Sequence, residues 1–210
     1  MSLQKQQAPN TQPTMPLIHD EDILVVPTTT LFPSGSWNGL RPINWASYQE
    51  LIDSNKEFLP RSRMEQDPTY KQIIPYLIFT YENSYFMMQR RAQASEQRLQ
   101  SKMSLGIGGH IRAEDLTHND MSLWARREFE EEVAYTGSYT IEPIGLLNDD
   151  SNEVGKVHAG LVFLLHGDSA DISIRSEHKS GVLVDLEACC EQYHLMETWS
   201  QIVIDFLKKR

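Results

Sequence analysis

Apolar residues along this chain fall mainly into short blocks bounded by turn-forming residues, a pattern that indicates β-strands. Six blocks are predicted as strands because they are rich in branched and aromatic side chains: ILVVP (23–27), KQIIPYLIFTY (71–81), SYFMMQRR (84–91), YTIEPIGLLN (139–148), KVHAGLVFLLHG (156–167) and GVLVDL (181–186). Only Glu82 and Asn83 separate the second block from the third. This pair is therefore predicted to form a β-hairpin.

Helical spacing is found in three other segments. NWASYQELIDSNKEFL (44–59) is predicted as a helix, and residues 185–209 are predicted as one or two amphipathic helices that end in basic residues. In the third segment, four apolar residues recur at every fourth position, namely Met121, Ala125, Phe129 and Val133. That spacing places them on one face of a helix. Strands that outnumber the helices between them predict a mixed sheet covered by helices.

Composition and pattern divide the chain into three regions. Residues 1–20 are rich in glutamine and proline and are expected to be a disordered tail. Residues 21–70 are expected to form an N-terminal extension that packs on the core, with a loop at 28–39 (TTTLFPSGSWNG). Residues 71–210 are expected to form the main domain. A length of 210 residues suits this arrangement of one domain with added elements.

Charge narrows the classes of partner. The net charge of −10 disfavours long nucleic acids and anionic membranes, because a strongly acidic surface repels polyanions. Cys189 and Cys190 are adjacent and rarely close a disulfide, so a reducing, cytoplasmic location is expected. The N-terminal sequence lacks the pattern of a signal peptide, and no apolar run is long enough to span a bilayer.

Four glutamates crowd into the segment RREFEEE (126–132) of the predicted helix. At about 100° per residue, Glu128, Glu131 and Glu132 fall within an arc of roughly 100°, while Glu130 lies on nearly the opposite side. A divalent cation such as Mg²⁺ would relieve the repulsion among the three carboxylates. The alternative is a solvated helix surface with the ion pairs Arg127–Glu131 and Arg126–Glu130.

A glycine-rich loop, SLGIGGHI (104–111), precedes this helix and lets the backbone approach a ligand closely. Loop and helix together resemble the Nudix box of the Nudix hydrolases, G-x5-E-x7-R-E-U-x-E-E-x-G-U, where U is a bulky apolar residue. Gly109 corresponds to the leading glycine. The residues that match R-E-U-x-E-E are Arg127, Glu128, Phe129, Glu131 and Glu132. The resemblance implies an α+β fold, the Nudix α/β/α sandwich, over residues 70–209.

The chain departs from the Nudix pattern at three points. Seventeen residues (110–126) separate the glycine from the arginine, whereas the pattern has thirteen, so four residues are inserted. Glu114 or Asp115 takes the place of the first glutamate, whose role in the family is to pair with the arginine. Ala134 replaces the late glycine, and Gly137 is the alternative end of the helix.

The resemblance implies a hydrolase that cleaves a diphosphate linkage in a nucleoside diphosphate derivative with the help of Mg²⁺ or Mn²⁺. The implied cation ligands are Glu128, Glu131, Glu132 and the carbonyl of Gly109. Arg127, with Gly108 and Asp115, is expected to brace the loop. Glu128 is the first choice for the base that takes a proton from water. Glu177 is a second catalytic candidate, whose ordinary interpretation is a solvated loop residue, and Glu153 is the alternative to it.

Other features leave alternatives open. Arg90 and Arg91, with Arg98 and Lys102, form either a weak phosphate-binding rim or a solvated basic stretch. His110 and His158 are expected to be hydrogen-bonded structural residues. A homodimer through the N-terminal segment is a further possibility. The competing functions are a Nudix-fold sensor or interaction module without turnover, and a diphosphate isomerase, which would need a cysteine near the cation.

Overall fold

The computed structural model describes residues 20–90, 102–115, 120–175 and 179–210. Its strands are β1 (Asp22–Pro27), β2 (Gly39–Arg41), β3 (Glu57–Pro60), β4 (Tyr70–Tyr81), β5 (Ser84–Arg90), β6 (Met103–Ser104), β7 (Gly106–Gly108), β8 (Val133–Tyr135), β9 (Tyr139–Asn148), β10 (His158–Gly167), β11 (Ile172–Ile174) and β12 (Lys179–Asp185). Its helices are α1 (Thr28–Leu31), α2 (Trp45–Asn55), α3 (Arg61–Met64), α4 (Met121–Glu132), α5 (Glu153–Val157), α6 (Leu186–Glu191) and α7 (Thr198–Leu207).

The main sheet has the strand order β12-β5-β4-β10-β9-β2. β10 runs parallel to β4, and the other neighbours along this path are antiparallel, so the sheet is mixed as predicted. β4 and β5 form the predicted hairpin. β7 adds to β4, which brings the glycine loop to the centre of the sheet. The N-terminal strands join the same sheet, β1 beside β4 and β2 beside β9.

Alternation along the central strands creates two apolar cores. On β4, Ile73, Leu77 and Phe79 face one core while Ile74 and Ile78 face the other. The first core is completed by α2 and α4, and the second by α6 and α7. Side chains of successive strand residues point to opposite faces, so a strand buried on both faces is apolar throughout. The sheet is thus covered on both sides, and the predicted α/β/α sandwich is confirmed.

Two predictions of local structure were wrong in the N-terminal region. Residues 28–31 of the predicted loop form the short helix α1, whose Leu31 is fully buried in the first core. The helix predicted over 44–59 ends at Asn55, and residues 57–60 instead form β3, which pairs with β1. The apolar residues at 58 and 59 are half-buried against neighbouring parts of the sheet, so tertiary pairing outweighs helical spacing here.

The cysteines lie on the side of the sheet opposite α4. Cys189 packs in the second core with α7, and burial raises the pKa of its thiol to about 11. α4 packs in the first core, so the sheet separates the cysteines from the glutamates. Neither cysteine therefore lies beside the glutamates, where a diphosphate isomerase would need one. Separately, no helix in the described ranges is long and apolar enough to cross a membrane.

Candidate active site

The glycine loop contacts α4 where Gly109 lies against Glu128. A Cβ atom placed on Gly109 would lie 2.4 Å from Oε1 and 2.6 Å from Oε2 of Glu128. A side chain at this position would force the carboxylate to shift, so glycine lets Glu128 sit against the backbone where it does. The side chain of Glu128 is 7% exposed. A buried carboxylate is therefore held directly against the loop that follows β7.

The start and the buried face of α4 explain how this carboxylate is positioned. Asp120 caps the helix by accepting a hydrogen bond from the backbone N–H of Ser122 at 2.8 Å. Met121, Ala125 and Phe129 are buried as the spacing predicted, and Trp124 is buried beside them. The helix ends at Glu132, and Val133 already has an extended backbone and begins β8. Packing of the apolar face thus directs Glu128 inward.

Arg127 connects several acidic groups around this contact. Its Nη2 lies 3.3 Å from Asp115 Oδ2 and 3.6 Å from Glu128 Oε2, and its Nη1 lies 2.7 Å from Glu131 Oε2. Nη2 also donates a hydrogen bond of 3.3 Å to the backbone carbonyl of His110. One guanidinium therefore ties α4 both to the loop backbone and to the segment at Asp115.

Asp115, rather than Glu114, is the acidic residue beside the arginine. The side chain of Asp115 is 5% exposed, and its Oδ2 also accepts a hydrogen bond of 2.8 Å from the backbone N–H of Arg112. Glu114 is 69% exposed and pairs with Arg112 instead. Asp115 stands six residues after Gly109, which is the spacing of glutamate in the pattern. The four inserted residues therefore fall between Asp115 and Arg127.

The remaining glutamates of the cluster differ in their surroundings. Glu131 is 53% exposed and is held by Arg127, whereas Glu132 is half-buried. Glu130 is exposed on another side of the helix, where it lines a cavity of about 370 Å³ with Arg126 and is not part of the contact at Gly109. The predicted Arg127–Glu131 ion pair is thus present. In the described residues, the three candidate glutamates do not form a group with ligand atoms all within 4.8 Å of one another.

Comparison with known proteins places this chain in a family. Protein YmaB of Bacillus subtilis is 33% identical over 202 residues, which cover 90% of this chain and 98% of YmaB. The solved structure of Tm1382, a protein named as a candidate Nudix hydrolase, is 30% identical and superposes with a TM-score of 0.77 over 89% of this chain and 98% of Tm1382. The chain belongs to the Nudix hydrolase family.

Two further comparisons show how far the likeness to other Nudix proteins extends. The Nudix domain of Shewanella oneidensis NrtR, solved with ADP ribose, is 12% identical, with a TM-score of 0.51 over 67% of this chain and 88% of that domain, so the likeness extends to the fold alone. No family model matches the chain. The four residues inserted into the Nudix box make this region of the chain differ from the family's sequence pattern.

Several sequence candidates cannot be placed in this Nudix site. Glu177, Arg91 and the side chain of Arg90 lie outside the described residues, as does Arg98. Glu153, the alternative to Glu177, begins α5, is 85% exposed and pairs with Lys156 at 2.6 Å. The side chain of Glu153 therefore forms an exposed ion pair on α5.

Two histidines lie together beside the Nudix loop, although 48 positions separate them in the sequence. His110 and His158 face each other with their Nε2 atoms 3.4 Å apart. Burial lowers the pKa of His110 to about 3, and burial also lowers the pKa of His158. His110 Nε2 lies 2.7 Å from Gln72 Oε1, and His158 Nδ1 donates to the Val154 carbonyl at 2.7 Å.

The residues of the Nudix box suit a divalent cation of the hard type. Glu128 offers a buried carboxylate at a point where the backbone has no Cβ to occlude it. Glu131 offers an exposed carboxylate. Its partner Arg127 also pairs with Asp115, so Arg127 would keep an acidic partner if Glu131 bound a cation. Carboxylate oxygens are the ligands that Mg²⁺ and Mn²⁺ prefer. The chemistry of these donors therefore fits the cation that the family implies, and binding it would draw the glutamate carboxylates closer together.

Proposed function

We propose that this protein is a cation-dependent hydrolase that cleaves the diphosphate linkage of a nucleoside diphosphate derivative or a related small molecule. The observation that carries the proposal is the buried carboxylate of Glu128 held against Gly109, with Arg127 joining it to Asp115 and Glu131. A surface helix stabilised by ion pairs alone does not require a buried glutamate at a glycine backbone. The family assignment supports the same interpretation.

Each residue of the site has a proposed role. Glu128, Glu131, Glu132 and the Gly109 carbonyl would hold Mg²⁺ or Mn²⁺, which when bound neutralises the diphosphate and acidifies the attacking water. Glu128 accepts the proton of that water as the water oxygen bonds to phosphorus and the bridging P–O bond breaks. Arg127 fixes α4 to the loop through its hydrogen bond to the His110 carbonyl and so keeps Glu128 in place.

The function is tested with a panel of nucleoside diphosphate derivatives, assayed for product with and without Mg²⁺ or Mn²⁺. ADP-ribose belongs in the panel, because the Nudix domain of NrtR was solved with that ligand. Cation-dependent release of a phosphorylated fragment is the expected result. Tight nucleotide binding with no product from any member would contradict a hydrolase and support the sensor.

Glu131→Gln is expected to lower cation-dependent turnover about 100-fold, because it removes one carboxylate charge from the cation site. The fold should be unchanged, since this side chain is 53% exposed. Initial rates at saturating Mg²⁺ measure the effect, and circular dichroism checks folding. Full activity in this variant would remove Glu131 from the cation ligands.

Gly109→Ala is expected to lower turnover about 100-fold, because the new methyl group would displace Glu128 and misplacement by about 1 Å has an effect of this size. Gly108→Ala is the matched comparison. Its Cβ would meet the Pro75 carbonyl at 3.0 Å and Ile74 Cγ2 at 3.1 Å, so it strains β4 rather than the carboxylate. Steady-state kinetics of both variants separate the two effects. Equal losses in both would show that the contact with Glu128 has no special role.

A further inference from the structure

Three segments that are distant in sequence bring potential metal ligands together beside the Nudix box. Glu65 follows α3 in the N-terminal region, His110 follows Gly109, and His158 begins β10. One potential ligand atom from each residue lies within 4.8 Å of the other two. Two imidazoles and one carboxylate are the protein ligands of many open zinc sites.

The spacing of the two imidazole nitrogens suits a single tetrahedral ion. Nitrogens bound to Zn²⁺ at about 2.05 Å with a tetrahedral angle lie about 3.3–3.4 Å apart. The Nε2 atoms of His110 and His158 are 3.4 Å apart. The ring centroids are 5.5 Å apart and the planes are inclined by 55°, so the rings are not stacked on one another. The two nitrogens therefore have the separation that one bound ion requires.

Hydrogen bonding around His158 orients the ring for this role. Its Nδ1 donates a proton to the Val154 carbonyl at 2.7 Å, which leaves the lone pair on Nε2 facing His110. A backbone carbonyl on the far nitrogen is the usual way in which proteins fix the tautomer of a metal-binding histidine. Val154 and His158 are four residues apart at the junction of α5 and β10, so the local fold holds this orientation.

His110 has a competing partner in Gln72, whose Oε1 lies 2.7 Å from Nε2. Gln72 is fully buried, and its Nε2 has no hydrogen-bond partner among the described residues. A hydrogen bond to Gln72 uses the nitrogen that would bind the ion, so binding requires His110 to change its tautomer and Gln72 to give up this contact.

Two cations lie near the cluster, and both have acidic partners. Arg61 lies 3.2 Å from Glu65 and 3.7 Å from Glu21, and Lys71 lies 2.7 Å from Asp150. If Glu65 turns toward the histidines, it exchanges its exposed ion pair with Arg61 for the metal ion, and Arg61 keeps Glu21 as a partner. Exposed ion pairs of this kind contribute little to stability, so the exchange costs little.

We propose that Glu65, His110 and His158 form a second metal site, selective for a Zn²⁺-class transition metal and separate from the carboxylates of the Nudix box. Imidazole favours Zn²⁺ and its neighbours over Mg²⁺, which takes oxygen ligands. The bound ion would fasten the N-terminal segment to the residue next to Gly109. It would thereby stabilise the loop backbone whose carbonyl at His110 is bound by Arg127.

The test uses the full chain, stripped of metal and kept in excess Mg²⁺ so that the Nudix carboxylates are occupied. Co²⁺ is the probe, because a tetrahedral nitrogen and oxygen site gives intense visible absorption bands. We expect saturation at about one ion per chain and displacement by Zn²⁺. His158→Gln and Glu65→Ala should each weaken binding by more than about 100-fold, since even indirect changes at such sites cost 10–100-fold. Glu65 is exposed, so its variant tests the site without disturbing the core.

Two matched controls make the result specific. His166→Gln removes an exposed histidine that pairs with Glu142 at 2.9 Å, and Glu131→Gln alters the Nudix carboxylates. Both should bind Co²⁺ as the parent protein does. Loss of the bands in Glu131→Gln, their persistence in Glu65→Ala and His158→Gln, or a sulfur charge-transfer band from Cys189 or Cys190 would each overturn the proposal. Hydrolysis plays no part in this readout, so the second site and the proposed function can fail independently.

Discussion

Glu128→Gln is expected to lower the turnover number by about 1,000-fold while the protein remains folded. Proton transfer by a positioned base contributes 10²–10⁴-fold, and the same substitution also removes a cation ligand. Glutamine has the shape of glutamate, and Gly109 carries no Cβ, so the amide fits in the same space against the loop. Steady-state rates on a substrate from the panel, at several Mg²⁺ concentrations, measure the loss.

Glu130→Gln is the control for this experiment. Glu130 occupies the same helix two residues away, but it is exposed, and its carboxylate accepts a long hydrogen bond of 3.4 Å from the Tyr139 hydroxyl. Its replacement removes the same charge from the protein without touching the loop. We expect activity within about twofold of the parent, as for an ordinary surface substitution. Comparable losses in both variants would mean that net charge, not the position of Glu128, governs the rate.

The sequence predicted the centre of the fold well, because its strands carry their own signals. β4 and β10 are apolar on both faces and are bounded by turn residues, and β5 follows β4 after two residues. The stripe on α4 was equally informative, since Met121, Ala125 and Phe129 recur with the period of a helix and are all buried. Local patterns of this kind depend little on distant partners.

The N-terminal region was harder to predict because its structure depends on distant segments. β1 joins the sheet through β4, and β2 does so through β9, more than 100 residues later in the chain. β3 was mistaken for the end of a helix, because the pairing of Leu24 with Phe58 decides its conformation and cannot be read from residues 44–59. Contacts between remote segments outweigh local propensity in such places.

The arrangement of the candidate site residues in the fold was predicted in part. The motif identified Glu128 and Arg127, and the spacing of six residues from Gly109 would have favoured Asp115 over Glu114. Helical geometry alone could not show that Glu128 is buried while Glu131 is exposed, since that depends on the loop across from α4. The cluster of Glu65, His110 and His158 has no signal in the sequence, because the fold alone unites its three segments.

Arg127→Met is expected to lower the free energy of unfolding by about 2–3 kcal/mol, because removing one partner of a buried ion pair leaves the other charge uncompensated. Asp115 and Glu128 have side chains that are 5% and 7% exposed, and both lie within 3.6 Å of the guanidinium. The estimate lies below the full cost of breaking a buried pair, since Arg127 is itself 21% exposed and Asp115 keeps Arg112 at 3.3 Å.

Arg126→Met is the matched control, because it removes the same charge at the neighbouring position. The guanidinium of Arg126 is exposed and lies 4.9 Å from the ring centroid of Tyr139, an interaction that contributes about 0.5–1 kcal/mol. Urea denaturation compares the stabilities of the two variants directly when the slope of the unfolding free energy against urea concentration is the same for both. If Arg127→Met proved no less stable than Arg126→Met, the guanidinium would not be the group that holds the buried carboxylates, and the loop at Gly109 would have to be positioned by its pairing with β4 alone.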